Sequence, residues 1–185
     1  MGNTDSLWSF SVTIYRQPGV SHACLSLQDR LGLDVNVLLF CCWFGCTRGP
    51  LDGQTFNDAL GFSRPWAEEV VHPLRAARIW MKVNNCVQPL SQKLLREKIK
   101  TVELEAEHLQ QDFLESLSST KPAKFLEPEL QLKNTASNLQ RYLKHCNVHL
   151  DDPSLSELTH IVTAAITNIE KTVILKTFDI SFQDT

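Results

Sequence analysis

Glycine disappears from the chain after Gly61, no two cysteines stand three apart, and no apolar run approaches the length of a bilayer. Each absence excludes something. The most apolar run, Val37 to Cys46, is far short of the ~20 residues a spanning helix needs, so it reads as a core helix and no membrane association is expected. Six cysteines at positions 24, 41, 42, 46, 86 and 146, without C-x-x-C spacing, fit neither a four-ligand zinc site nor the regular framework of a small secreted disulfide protein. They are expected as thiols, with no metal and no cofactor. A basic excess is also missing. Eighteen Lys plus Arg against 21 Asp plus Glu give a net charge of −3, which lacks the cationic footprint that nucleic-acid phosphates require. There is no Gly-rich phosphate loop, no G-x-S-x-G elbow and no Cys-His pair in a recognisable context, so no reaction is indicated. The opening residues Met1 to Asp5 carry no basic n-region of a secretory signal, which makes the cytoplasm the expected location. Met1 to Ser6 also fits the permissive N-myristoylation pattern, a weak match for an anchor.

What the chain does contain is unevenly distributed. Residues 1 to 50 carry three basic and three acidic groups, residues 51 to 100 eight and five, and residues 101 to 185 seven and thirteen. Ten of the fifteen aromatics lie at or before Trp80. Turns and bulky core residues therefore belong to the first half, and long helices to the second.

The apolar periodicity supports helices throughout. Asp5 is a candidate cap for a first helix to about Arg16, ended by Pro18-Gly19. A second helix is expected from Val20 to Leu31 with Gly32 as its stop, and Asp34 caps a third, about Val35 to Cys46, which is apolar on every side and so must be enclosed. Thr55 to Leu60 suggests a short helix, and Ser63 with Pro65 the start of the next, kinked at Pro73. From Pro89 to Leu117 the positions Leu95, Ile99, Val102, Ala106, Leu109 and Phe113 alternate four and three, a heptad seam. Two more stripes follow, Leu132 to Cys146 and Leu155 to Ile169, the second opened by Asp152-Pro153. The only strand-like run is Val173 to Ile180. The expected fold is an all-α multi-helix bundle. Its division is an N-terminal bundle of residues 5 to 117, a linker at 118 to 128 and a helical C-terminal extension at 129 to 178.

Leu7-Trp8-Ser9-Phe10-Ser11, Tyr15, Pro18-Gly19-Val20, Cys24 to Asp29 and Gly32 to Phe40, followed by Trp66, Glu69-Val70-Val71, Pro73-Leu74-Arg75, Arg78 and Glu103 to Glu107, resemble a proteobacterial family of unknown function over about residues 5 to 117. The resemblance implies a bacterial cytosolic protein. It implies no activity, substrate or cofactor.

Three constellations could carry chemistry. Glu69/His72, Glu105/His108 and Glu157/His160 are Glu-x-x-His pairs, the unit of a di-iron bundle, but His108 and His160 fall off the apolar seams of their helices. Arg75 and Arg78 share a helix face, and Glu103 and Glu107, four apart, are their natural partners if the two helices run antiparallel. A structural ion-pair seam is the simplest reading, an anion or partner site the sharper one. Asp34 and Asn36 sit where polar groups meet the apolar helix, Asp34 being most cheaply explained as its cap. Of Trp8, Trp43, Trp66 and Trp80, any one left exposed would mark an interface. The favoured function is protein–protein interaction, accessory or regulatory, with a partner protein or a second copy. The alternative is a small-molecule or anion pocket, of an enzyme or of a binding protein, between the central helix and the Arg75/Arg78 helix, lined by Asp34, Asn36, Glu69, Arg75 and Arg78.

Overall fold

The computed structural model describes residues 6–84, 87–118 and 126–182, with side chains to residue 178. Among the described residues nine α-helices follow one another: α1 (Leu7–Tyr15), α2 (Val20–Leu31), α3 (Val35–Thr47), α4 (Gly53–Trp66), α5 (His72–Val83), α6 (Pro89–Ser116), α7 (Pro128–His145), α8 (Asp152–Ala165) and α9 (Lys171–Phe182), with a π-helical turn at Ala67–Val71 joining α4 to α5. The fold is all-α, with no strand among the described residues. Side-chain oxygens start four of the helices by accepting otherwise unpaired backbone N–H groups. Ser6 caps α1, Asp34 α3, Asp52 α4 and Asp151 α8. Asp5, the expected cap of α1, lies outside the described residues. Gly32 closes α2 at φ 67°, in the left-handed region that glycine enters without cost.

α3 is the axis of the molecule. Every residue from Asn36 to Cys46 is buried, as a helix without a polar face requires. Its most extensive partner is α7, whose Leu132, Ala136, Leu139 and Leu143 join Phe40, Trp43 and Phe44 in one core. The two helices approach so closely at Gly45 that a Cβ there would lie 2.6 Å from the Thr135 backbone nitrogen. Buried Asn138 serves the same contact, its Oδ1 accepting the Leu51 N–H at 2.8 Å while its Nδ2 donates to the Cys41 carbonyl at 3.2 Å. The hydrophobic core thus draws on residues both before and after the segment 119–125.

Three local expectations are corrected. Ser63 and Pro65 do not start a new helix; α4 runs on through Pro65. The carbonyl that loses its donor is that of Gly61, which is exposed and open to water, so the missing bond is tolerated. The distortion appears instead as the π turn, where the His72 N–H reaches back five residues to Ala67 just before Pro73. Val173 to Ile180 is helical within α9, because Ile174 and Phe178, four apart, are both fully buried. Ile169 falls beyond the end of α8, which stops at Ala165.

The largest departure concerns α6. Of its heptad seam, Leu95, Val102 and Leu109 are exposed, and only Ala106 is buried. The inward face carries Gln92, Glu103, Ala106, Gln110, Gln111 and Leu114. The reason is what α6 packs against: α5 offers arginines and the start of α3 offers Asp34 and Asn36, so polar complementarity sets the rotation of the helix.

Candidate functional site

Two linked polar clusters occupy the inner face of α6. In the first, Arg75 Nε donates to Glu103 at 2.9 Å and its second nitrogen to Glu107 at 2.6 Å. Arg78 grips Glu103 through Nε and, at 3.0 Å, through Nη2. The spacing that places two arginines on one face and two glutamates on the facing one is realised in antiparallel helices. Burial raises the proton affinity of Glu103, but hydrogen bonds and charge from Arg78 and Arg75 outweigh it, and its pKa falls below the usual glutamate value. For Glu107 burial dominates and the pKa rises.

The second cluster joins α6 to the start of α3. Asp34 Oδ1 accepts the N–H groups of Asn36 at 2.8 Å and Val37 at 3.4 Å, and its Oδ2 accepts from Gln110 Nε2 at 2.6 Å. Asn36 donates to Gln110 Oε1 at 2.9 Å and accepts from Gln111 Nε2 at 2.7 Å. Tyr142 of α7 completes it, its hydroxyl accepting the Asp34 N–H at 2.8 Å. Burial pushes the Asp34 carboxyl up despite these donors. Both of its oxygens are engaged in holding helices together.

Asp34, Asn36, Arg75 and Glu107 border one common crevice between α3 and α5, but its volume is only about 20 Å³, room for about one water. Arg78 stands outside it with Glu103, and Glu69 is exposed and borders none of the described cavities. The other Glu-x-x-His members disperse: Glu157 pairs with Arg30, His160 Nε2 contacts the Pro18 carbonyl at 2.8 Å, and His108 stacks on Trp8 at 4.0 Å. Among the described residues no three His, Cys, Asp or Glu side chains converge as a metal site would require. The five described cysteines are free thiols; burial raises the pKa of Cys24 and Cys46 to about 12, leaving them un-ionised at neutral pH.

Outside these clusters the α5–α6 hairpin has an unusual surface. α5 buries no residue at all. Of thirteen large apolar side chains that stand exposed among the described residues, ten lie between Ile79 and Leu109. Trp80 is 53% exposed, the tryptophan that reads as an interface marker, whereas Trp43 is fully buried and Trp66 is tied to the Ala106 carbonyl. Leu95, Val102 and Leu109 recur every seven residues and form one stripe along α6. The same segment, residues 79 to 109, carries five basic groups and four acidic ones, of which Glu103 and Glu107 are taken up by Arg75 and Arg78.

Two wider clefts flank the polar clusters. One of about 370 Å³ runs between α4 and α7 and includes Ser63, His72, Tyr142 and Cys146. The other, about 330 Å³, lies among α1, α2, α3 and α6. Sequence reasoning missed Gln110, Gln111 and Tyr142. The amides flank the heptad stripe and read as surface positions, so the one available signal was their adjacency to the paired glutamates.

No described helix is long and apolar enough to cross a membrane. No curated protein and no solved structure matches the chain. Residues 6–114 match the model of a family described as protein of unknown function (DUF2390). That segment spans α1 to nearly the end of α6, including the first polar cluster, the second apart from Tyr142, and the whole exposed hairpin face, and the chain belongs to this family.

Proposed function

We propose that this member of the family is a bacterial cytoplasmic accessory protein that works by docking a partner protein on the exposed face of its α5–α6 hairpin. The observation that carries the reading is the concentration of ten exposed large apolar side chains on residues 79 to 109, beside a helix with no buried residue. Apolar surface gathered this way marks an interaction site, and an exposed tryptophan is a typical anchor. The free thiols fit a reducing compartment.

Charge selects the kind of partner. With five basic groups on residues 79 to 109 against two acidic ones, Glu97 and Glu105, that do not pair with Arg75 or Arg78, the face complements an acidic amphipathic helix laid along the stripe of Leu95, Val102 and Leu109. A second copy of the same face would bring like charges together, which disfavours self-association there. The Arg75/Arg78 side chains do not contribute, because Glu103 and Glu107 already neutralise them.

Affinity capture from the native host, comparing wild type with a Trp80→Gln/Leu95→Gln/Val102→Gln variant, tests this reading. One recurrent acidic partner that cross-links to the hairpin and is lost in the variant supports it. Equal capture by both proteins overturns it. A wild-type dimer that becomes monomeric in the variant, seen by light scattering, would make the occupant a second copy instead.

A further inference from the structure

We propose that the 330 Å³ cleft among α1, α2, α3 and α6 is a binding site for a small, flat, mostly apolar molecule that carries an N–H donor. The site shares Leu104 with the exposed apolar residues of the hairpin but does not rest on the docking reading. Its aliphatic walls are Val12, Leu25, Val35, Leu39 and Leu104, with Tyr15, Arg16, Gln28 and Arg75 among the other lining residues. Leu25 and Leu104 come from different helices and remain 46% and 51% exposed, so the cleft offers apolar surface to whatever enters. Trp8 adds an aromatic face, its ring already fixed by stacking on His108. Stacking surface held rigid in advance costs a ligand little ordering on binding.

Two polar atoms at this cleft identify the chemistry. Ser11 and Gln111 line it and are 4% and 3% exposed, yet Ser11 Oγ and Gln111 Oε1 have no hydrogen-bond partner. Buried polar atoms are nearly always paired, so two orphans lining one cleft point to a partner that enters it. The amide of Gln111 has no freedom to turn away, because its Nε2 is committed to Asn36 at 2.7 Å. The free atom is then a carbonyl oxygen, which can only accept. Glu107, also at the cleft, is a second acceptor. Toward these two acceptors a ligand donates, while the serine hydroxyl can serve in either direction. A volume of 330 Å³ stands at the lower end of ligand sites, which suits a molecule of one or two rings.

Indole and its isostere indene, which replaces the N–H with a methylene, test the assignment in the full-length protein by amide-resolved NMR titration. Indole is expected to shift resonances of Trp8, Ser11 and Gln111, and indene to bind about tenfold more weakly, as loss of one buried hydrogen bond predicts. Gln111→Met should remove the preference for indole. Because that change also frees Asn36, a second variant, Leu104→Asp at the exposed wall, should weaken both ligands in a protein of unchanged fold. Equal affinity for indole and indene in the wild type overturns the donor assignment. Absence of localised shifts up to the solubility of indole overturns the site.

Discussion

Helices α3 and α5 are both neighbours of α6 and obey opposite rules. α3 buries every residue from Asn36 to Cys46, whereas α5 buries none and is held by guanidinium–carboxylate pairs. α6, 28 residues long and so about 42 Å from end to end, meets both. Its C-terminal half anchors to the core through Gln110, Gln111 and Leu114, and its N-terminal half meets α5, where Gln92 donates to the Met81 carbonyl at 2.8 Å. Apolar packing positions one region and directional polar contacts the other. The consequence is functional: a hairpin held by polar contacts on its inner side is free to keep apolar residues outside.

The sharpest way to break this comparison is to truncate equivalent apolar residues in the two regions. Phe40 is fully buried and meets Phe44 edge-on at 5.5 Å, so Phe40→Ala should cost ~4 kcal/mol in urea unfolding. Ile79→Ala on α5 should stay within ~0.5 kcal/mol. Comparable losses would mean that the hairpin shares the core's mode of stabilisation.

Within the hairpin the large effect belongs to charge. Glu103→Ala strands Arg78, leaves Arg75 with Glu107 alone, and should cost ~3 kcal/mol. Its pH dependence gives a second readout. The folded pKa of Glu103 is below the ordinary glutamate value of 4.5, so the folded state holds that proton less tightly than the unfolded chain does. Its contribution is complete above the unfolded value and is lost as pH falls through the folded one. Stability curves of wild type and Glu103→Gln should therefore converge as pH drops below ~4.5 and separate above it.

A smaller effect tests the seal between α3 and α7. In Gly45→Ala the new methyl would sit 2.6 Å from the Thr135 nitrogen and 2.7 Å from its Cα, both backbone atoms that cannot swing aside. A loss of ~2 kcal/mol is expected from forcing the helices apart, and Thr135→Gly should not rescue it.

Much of the buried architecture was legible in the amino-acid sequence. An apolar helix capped by Asp34 announces the centre of a bundle, and the spacing of Arg75, Arg78, Glu103 and Glu107 announces a seam. The orientation of α6 was not legible, because a heptad stripe states that one face is apolar without stating that the face is inward. Leu95, Val102 and Leu109 point out since Asp34, Asn36 and the arginines need the amides and glutamates opposite. The pairing of α3 with α7 depends on small residues, Gly45 against Thr135, whose complementarity exists only in three dimensions. The pocket expected between α3 and α5 shrinks to about 20 Å³ because the same polar groups fill it with their own contacts.

The smallest expected effect on stability carries the most functional weight. In the Trp80→Gln/Leu95→Gln/Val102→Gln variant every changed residue is about half exposed, and glutamine is a good helix former, so unfolding should move by no more than ~0.5 kcal/mol per site. By contrast, Arg75→Glu with Arg78→Glu sets four carboxylates against one another along the seam and should unfold the hairpin. Loss of a partner in that charge-reversal protein would therefore say nothing about where the partner binds. Loss of the same partner in the glutamine variant, with its helical circular dichroism and melting midpoint retained, would locate binding on the outer stripe. If the glutamine variant instead melts well below wild type, those side chains support the fold, and the contrast between α3 and α5 narrows to one of degree.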